Sequence, residues 1–161
     1  MDKLIQTLIS GLSLGSIYAL IALGYTMVYG IAKMLNFAHG DIIMVGAYAV
    51  ITAVFTMGLP PVIAILISIA LCALLGIVIE FLAYRPLRQA QPLAVLITAI
   101  GVSYLLQNLA LLIYGSEQKA FPTIVALPTV HIGGVYIDGI TLATLVVTAV
   151  IMVALSLFIN K

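Results

Sequence analysis

The dominant pattern along this chain is the uninterrupted apolar run. No charged residue occurs from Leu4 to Ala32, from Ile42 to Ile79, from Gln89 to Ser116 or from Gly139 to Asn160. About 18 or more uncharged, mostly apolar residues mark a segment able to cross a bilayer. The second run divides at Gly58-Leu59-Pro60-Pro61, because proline cannot continue the preceding helix while a second proline suits the first position of the next. The spacing predicts an all-α fold: a polytopic integral membrane helical bundle with spans at about 4–29, 36–57, 61–84, 92–114 and 140–159, forming a single membrane domain over residues 1–161.

Polar positions interrupt the runs at few places. In the first span Gly11 and Gly15, continued by Ala19, give a small-residue face that lets another helix approach closely. Ile42 to Met57 would be only about 24 Å long as a helix, against a hydrocarbon core of about 30 Å. The second span therefore reaches across only if it begins near Asn36. This makes Leu35-Asn36-Phe37-Ala38-His39-Gly40-Asp41 either an interfacial loop or the start of a span dipping into the membrane. In the third span Ser68, Cys72, Gly76 and Glu80 recur every four residues. Cys72 reads as a packing residue, and Glu80 as an interfacial partner for Arg85 or Arg88, or else as a buried transport carboxylate. The fourth span carries Thr98, Gly101, Ser103, Gln107 and Asn108, a face that should turn inward from lipid. Gln107 and Asn108 either bond between helices or line a pathway. Past it, Val130-His131-Ile132 and Val135-Tyr136-Ile137 flank Gly133-Gly134 as a short hairpin.

Composition sharpens the picture by exclusion. The 161 residues are 65% hydrophobic and 7% charged, against roughly 25% charged in soluble domains. A net charge of +1 without a basic cluster gives no footprint for nucleic acid. Cys72 is the lone cysteine, and His39 and His131 stand far apart, so no metal-ligand spacing appears. The first run is too long for a cleavable signal peptide. With five spans, Lys33, Arg85, Arg88 and Lys161 fall on one side and Lys3 and Lys119 on the other. That bias puts the Arg85 loop and C-terminus in the cytoplasm, and the N-terminus and hairpin outside.

No phosphate-binding glycine-lysine loop, nucleophile-base arrangement or pair of carboxylates at working distance is present. The expectation is a non-enzyme without a cofactor, whose role is solute passage or assembly with partners that supply energy. An interrupted span with glycine and polar groups is a recurrent way to build a solute site. Asp41, following Gly40, either belongs to such a site or N-caps its helix at the cytoplasmic interface. A structural membrane subunit or scaffold, whose glycine faces serve only helix association, is the alternative class.

Leu35-Asn36-Phe37-Ala38-His39-Gly40-Asp41 with Gly46-Ala47-Tyr48, Tyr84-Arg85-Pro86-Leu87-Arg88, the block from Leu96 to Asn108 and the Val130–Ile137 hairpin occur in a diagnostic order. In these blocks, which cover nearly the whole chain, the sequence resembles the permease subunits of branched-chain amino acid ABC importers. The resemblance implies translocation of leucine, isoleucine, valine or related small amino acids across a bacterial or archaeal plasma (inner) membrane. It also implies a second, homologous permease, two cytoplasmic ATPase subunits and an extracytoplasmic binding protein. The candidate substrate-path residues are Asn36, His39, Gly40, Asp41, Gly46, Gln107 and Asn108; Glu80, Arg85 and Arg88 belong to the interfacial loop. Family members are longer, with an ATPase-contacting helix after the equivalent of Lys161, so the chain is expected to be the N-terminal part of a longer permease.

Overall fold

A computed structural model of the chain describes residues 2–33, 36–117, 121, 127–132 and 135–159. Five helices follow in order: α1 (Asp2–Ala32), α2 (His39–Ile51), α3 (Pro61–Ile79), α4 (Pro92–Tyr114) and α5 (Gly139–Ile159). The strands β1 (Val130–Ile132) and β2 (Val135–Ile137) lie between α4 and α5. Among the described residues, stretches of 28, 18, 27, 23 and 19 residues are long and apolar enough to cross a membrane: Lys3–Gly30, His39–Thr56, Pro61–Leu87, Pro92–Tyr114 and Gly139–Leu157. The all-α polytopic architecture follows from these five stretches. Their outer surfaces are apolar; Leu112 and Ile113, for example, are 81% and 71% exposed, as side chains facing hydrocarbon can be.

The breaks between helices follow local chemistry. Gly58 adopts φ +63° ahead of the second helix pair, and Pro61 opens α3 at its first position, as expected. Gly115 closes α4 at φ +80°, with its amide donating to the Leu111 carbonyl at 2.9 Å. Positive φ costs glycine little because it lacks a Cβ. α2 and α3 each end in a widened π-type turn, Thr52–Thr56 and Glu80–Tyr84, in which the amides of Met57 and Arg85 reach back to Thr52 and Glu80. Such turns occur mostly as single-turn bulges in α-helices, frequently at functional sites.

The chain divides into two compact units, Met1–Met27 with Thr123–Lys161, and Val28–Pro122. In the first, β1 and β2 pair antiparallel with Val130 opposite Ile137 and Ile132 opposite Val135. The expected hairpin register is therefore present, although its turn residues Gly133 and Gly134 lie outside the described residues, as do Leu35, Lys119, Asn160 and Lys161. A marginal two-stranded ribbon needs an anchor, and Gln6 of α1 supplies one. Its side-chain amide donates to the Tyr136 carbonyl at 2.7 Å and accepts from the Tyr136 amide at 3.1 Å. Gly139 is closely hemmed: a Cβ there would stand 2.5 Å from the Leu127 Cβ. Gly11 and Gly15 differ from expectation, because no heavy atom comes within 4 Å of a Cβ built on either one. The close helix approach foreseen on that face is not made among the described residues.

The core of the second unit is Ala38, Ile79, Tyr84, Ala99 and Leu106, with Ile42, Leu75, Ala83 and Val102 packed around it. Ala38 and Ala99 are fully buried. The polar Asn36–Asp41 stretch is thus seated on the main apolar cluster of its unit.

Candidate functional site: the two faces of α2

α2 presents different chemistry to its two neighbours. Residues seven apart on a helix share a face, two turns on. Asp41 and Tyr48 are such a pair, and so are Gln107 and Tyr114 on α4. The Gln107 Nε2 donates to the Asp41 Oδ1 at 3.0 Å, and the Tyr48 and Tyr114 rings stack with centroids 4.1 Å apart and planes 12° from parallel. Because Asp41 and Tyr48 meet Gln107 and Tyr114 in the same order, α2 and α4 run parallel in register. Thr52 extends the face: its Oγ1 donates to the Tyr48 carbonyl at 2.9 Å and lies 3.1 Å from the Tyr114 hydroxyl.

The other face of α2 is built from small residues and meets α3 in the opposite sense. The Cys72 Sγ lies 3.5 Å from the Ile42 carbonyl, to which it donates, and the Ser68 hydroxyl donates to the Gly46 carbonyl at 2.8 Å. An added Cβ on Gly46 would sit 2.8 Å from Cys72 Sγ and 3.2 Å from Ser68 Oγ. Small residues let helix backbones approach in membranes where no hydrophobic force drives them together. Gly46 therefore serves helix packing in this structure, and Cys72 takes the packing role read from its spacing.

The motif enters α2 differently from either sequence expectation. Helix begins at His39, three residues later than Asn36. The Asn36 side chain explains the delay: its Oδ1 accepts from the Ala38 amide at 3.1 Å and from the Tyr84 hydroxyl at 2.8 Å. Asparagine that bonds its own backbone two residues on favours a turn over helix. Asp41 does not cap the helix. The N-cap position is Ala38, which makes no side-chain cap bond, and Asp41 lies inside the first turn with its carboxylate directed to α4. It is 8% exposed.

Gln107 also donates to the Ser103 Oγ at 3.1 Å, so Ser103, Gln107 and Asp41 form a short polar chain from α4 to α2. Asn108 does not join it; its Nδ2 donates to the Tyr104 carbonyl of its own helix at 2.7 Å. His39 is half-buried at the start of α2, and Gly40 is exposed with open space around its Cα. Glu80 pairs with Arg88, not Arg85, whose guanidinium lies over the Phe81 ring at 5.2 Å. These three charges occupy the loop end of α3, and no hydrogen bond among the described residues joins them to Asp41.

Tyr114 and Thr52 are not singled out by the sequence reading, and Tyr48 and Tyr84 enter it only within the blocks that carry the resemblance, with no role assigned. The equal seven-residue steps of Asp41–Tyr48 and Gln107–Tyr114 carried a signal for two of them, Tyr48 and Tyr114. Nothing local marked Tyr84, which lies 48 positions from its partner Asn36. Chemically, one carboxylate oriented by an amide can receive a cationic or N–H-donating group.

Comparison with known proteins bears on this geometry. A family model described as "Branched-chain amino acid transport system / permease component" matches residues 7–160. The high-affinity branched-chain amino acid transport system permease protein BraD of Pseudomonas aeruginosa is 43% identical over 169 residues, covering 98% of this chain and 55% of that protein. The corresponding permease protein LivH of Salmonella typhimurium, and that of Escherichia coli K12, are each 43% identical over 128 residues, or 74% of this chain and 42% of theirs. The chain spans about half the length of the curated relatives it matches. No solved structure matches it.

Proposed function

Because this chain belongs to the permease-component family of branched-chain amino acid transport systems, we propose that it is a translocating subunit of an ATP-driven importer, with the α2–α4 seam lining the cytoplasmic part of the path. The single membrane domain of residues 1–161 supplies one portion of a longer permease. A second, similar permease completes the pore, two cytoplasmic ATPase subunits hydrolyse ATP, and an extracytoplasmic binding protein delivers leucine, isoleucine, valine or a related small amino acid. The multi-pass chain resides in the plasma (inner) membrane. The N-terminus and hairpin lie outside, with the Arg85–Arg88 loop in the cytoplasm, an orientation supported by the distribution of lysine and arginine.

The observation that carries this reading is the buried Asp41 carboxylate held by Gln107 at the start of a span. An ionisable group inside a membrane bundle is costly and is retained for a pathway or a partner. A passing amino acid brings an ammonium group that a carboxylate complements. Asn36 sets where the helix begins and hence where Asp41 stands, His39 and Gly40 border the same entry, and Ser103 and Gln107 orient the carboxylate.

Asp41→Ala, Asp41→Asn and Asn36→Ala, each introduced into the assembled transporter at matched expression and assembly, test the claim through uptake of labelled leucine. Uptake falls at least tenfold in Asp41→Ala and also falls in Asp41→Asn, which keeps a hydrogen-bond acceptor but no charge; tenfold corresponds to about 1.4 kcal/mol of lost stabilisation. Unchanged uptake in both Asp41→Ala and Asn36→Ala removes the path from this seam.

A further inference from the structure

A second feature of the Val28–Pro122 unit is independent of Asp41. A cleft opens where three spans meet one surface level: Lys33 follows the end of the Lys3–Gly30 span, Leu87 closes the third, and Pro92 opens the fourth. Its walls include Tyr29, Leu87, Leu93 and Leu96, while Lys33 and Arg88 stand among the lining residues. The lining is mainly hydrocarbon, and the two charges in it have the same sign.

Lys33 is held in an unusual conformation. Its φ is +55°, and its amide donates to the Tyr29 carbonyl at 2.8 Å, closing the last turn of α1. A non-glycine residue in the left-handed region costs roughly 1–2 kcal/mol, so the turn holds an ammonium group at this edge at some expense. Among the described residues, Lys33 makes no ion pair. Arg88 shares one terminal nitrogen with Glu80 in a pair whose side chains are 65% and 37% exposed. A guanidinium carries five N–H donors, so that pairing leaves donors for a second anion.

An apolar groove that begins at a bilayer's edge, with two cations at its head, matches an anionic phospholipid: acyl chain against Leu93 and Leu96, phosphate between Lys33 and Arg88. Basic pockets between transmembrane helices on the cytoplasmic side bind such headgroups. A zwitterionic lipid would bring its own headgroup cation against Lys33 and Arg88, and a soluble anion would leave the apolar wall wet. We propose that this cleft is a binding site for an anionic phospholipid of the cytoplasmic leaflet.

Native mass spectrometry of the full chain, released from micelles carrying equal phosphatidylglycerol and phosphatidylcholine of matched acyl chains, tests the assignment. The expected result is preferential retention of phosphatidylglycerol, reduced about fivefold by Lys33→Gln and again by Arg88→Gln, since one interfacial basic side chain contributes about that factor. Lys3→Gln, at the other end of the first span, leaves the preference intact. Leu96→Trp keeps both cations but fills the groove, and lowers retention of both lipids. Inorganic phosphate in excess does not displace the bound lipid. Equal retention of the two lipids overturns the proposal, as does a preference unchanged in both Lys33→Gln and Arg88→Gln. Displacement by phosphate alone overturns the lipid assignment, leaving a simple anion site.

Discussion

Gly46→Ala probes a close contact between α2 and α3 in the Val28–Pro122 unit. The new methyl would lie 2.8 Å from the Cys72 Sγ and 3.2 Å from the Ser68 Oγ, so α2 and α3 must separate or both side chains must turn. Neither turns freely, because Sγ donates to the Ile42 carbonyl and Oγ to the Gly46 carbonyl itself. Overpacking of this kind costs about 1–3 kcal/mol, and loss of the Ser68 bond adds about 0.5–1.5 kcal/mol. Alanine gains up to about 1 kcal/mol over glycine in helix propensity. The packing loss wins, for a net destabilisation of about 0.5–3.5 kcal/mol. In a chain of 161 residues that corresponds to a fall in Tm of about 1–14 °C. Heating detergent-solubilised protein and following the folded fraction by size-exclusion chromatography measures it. Cys72→Ala removes the nearest atom, so the Gly46→Ala/Cys72→Ala double variant should recover most of the loss, with a coupling near 1 kcal/mol between touching residues. An unmoved or raised Tm in Gly46→Ala, or strict additivity in the double variant, would refute the close approach of α2 to α3.

Asn36→Ala should destabilise more than Tyr84→Phe, because it removes the acceptor of two hydrogen bonds, from the Ala38 amide and the Tyr84 hydroxyl, where Tyr84→Phe removes one of them, each contributing about 0.5–1.5 kcal/mol; paired thermal melts decide the order. Tyr114→Leu should cost about 0.5–1.5 kcal/mol beyond lost area through the Tyr48 stack, and Tyr48→Leu in the same background should then cost less than it does alone. Glu80→Gln should leave Tm almost unchanged, since exposed ion pairs contribute at most about 1 kcal/mol; a large drop would mean Glu80 has a buried role. Gln6→Ala should speed hydrogen exchange at the Tyr136 amide without altering exchange along α3.

The five helices long and apolar enough to cross a membrane, the break at Gly58–Pro61, and the pairing of residues 130–132 with 135–137 were all legible in the amino-acid order. Each rests on a local property: transfer of about 20 successive apolar residues into hydrocarbon, the fixed φ and missing N–H of proline, or short-range strand alternation. The start of α2 lies three residues later than expected because Asn36 bonds the Ala38 amide two residues on, and the Tyr84 hydroxyl that also holds that side chain comes from 48 positions away.

The rotation of each helix about its own axis was not legible. A soluble helix announces its inward face by an apolar stripe, but here apolar residues surround every span, and lipid is as apolar as a neighbouring helix. The order of residues alone left Gly11 and Gly15 as packing candidates, Gly46 as a candidate path residue, and Asp41 as either cap or pathway group. Tertiary packing separated them. It pressed only Gly46 of the three against a neighbour, and it turned Asp41 toward Gln107. One residue of helix turns a side chain by about 100°, so the choice between lipid, partner helix and polar seam is made only when neighbouring helices are in place.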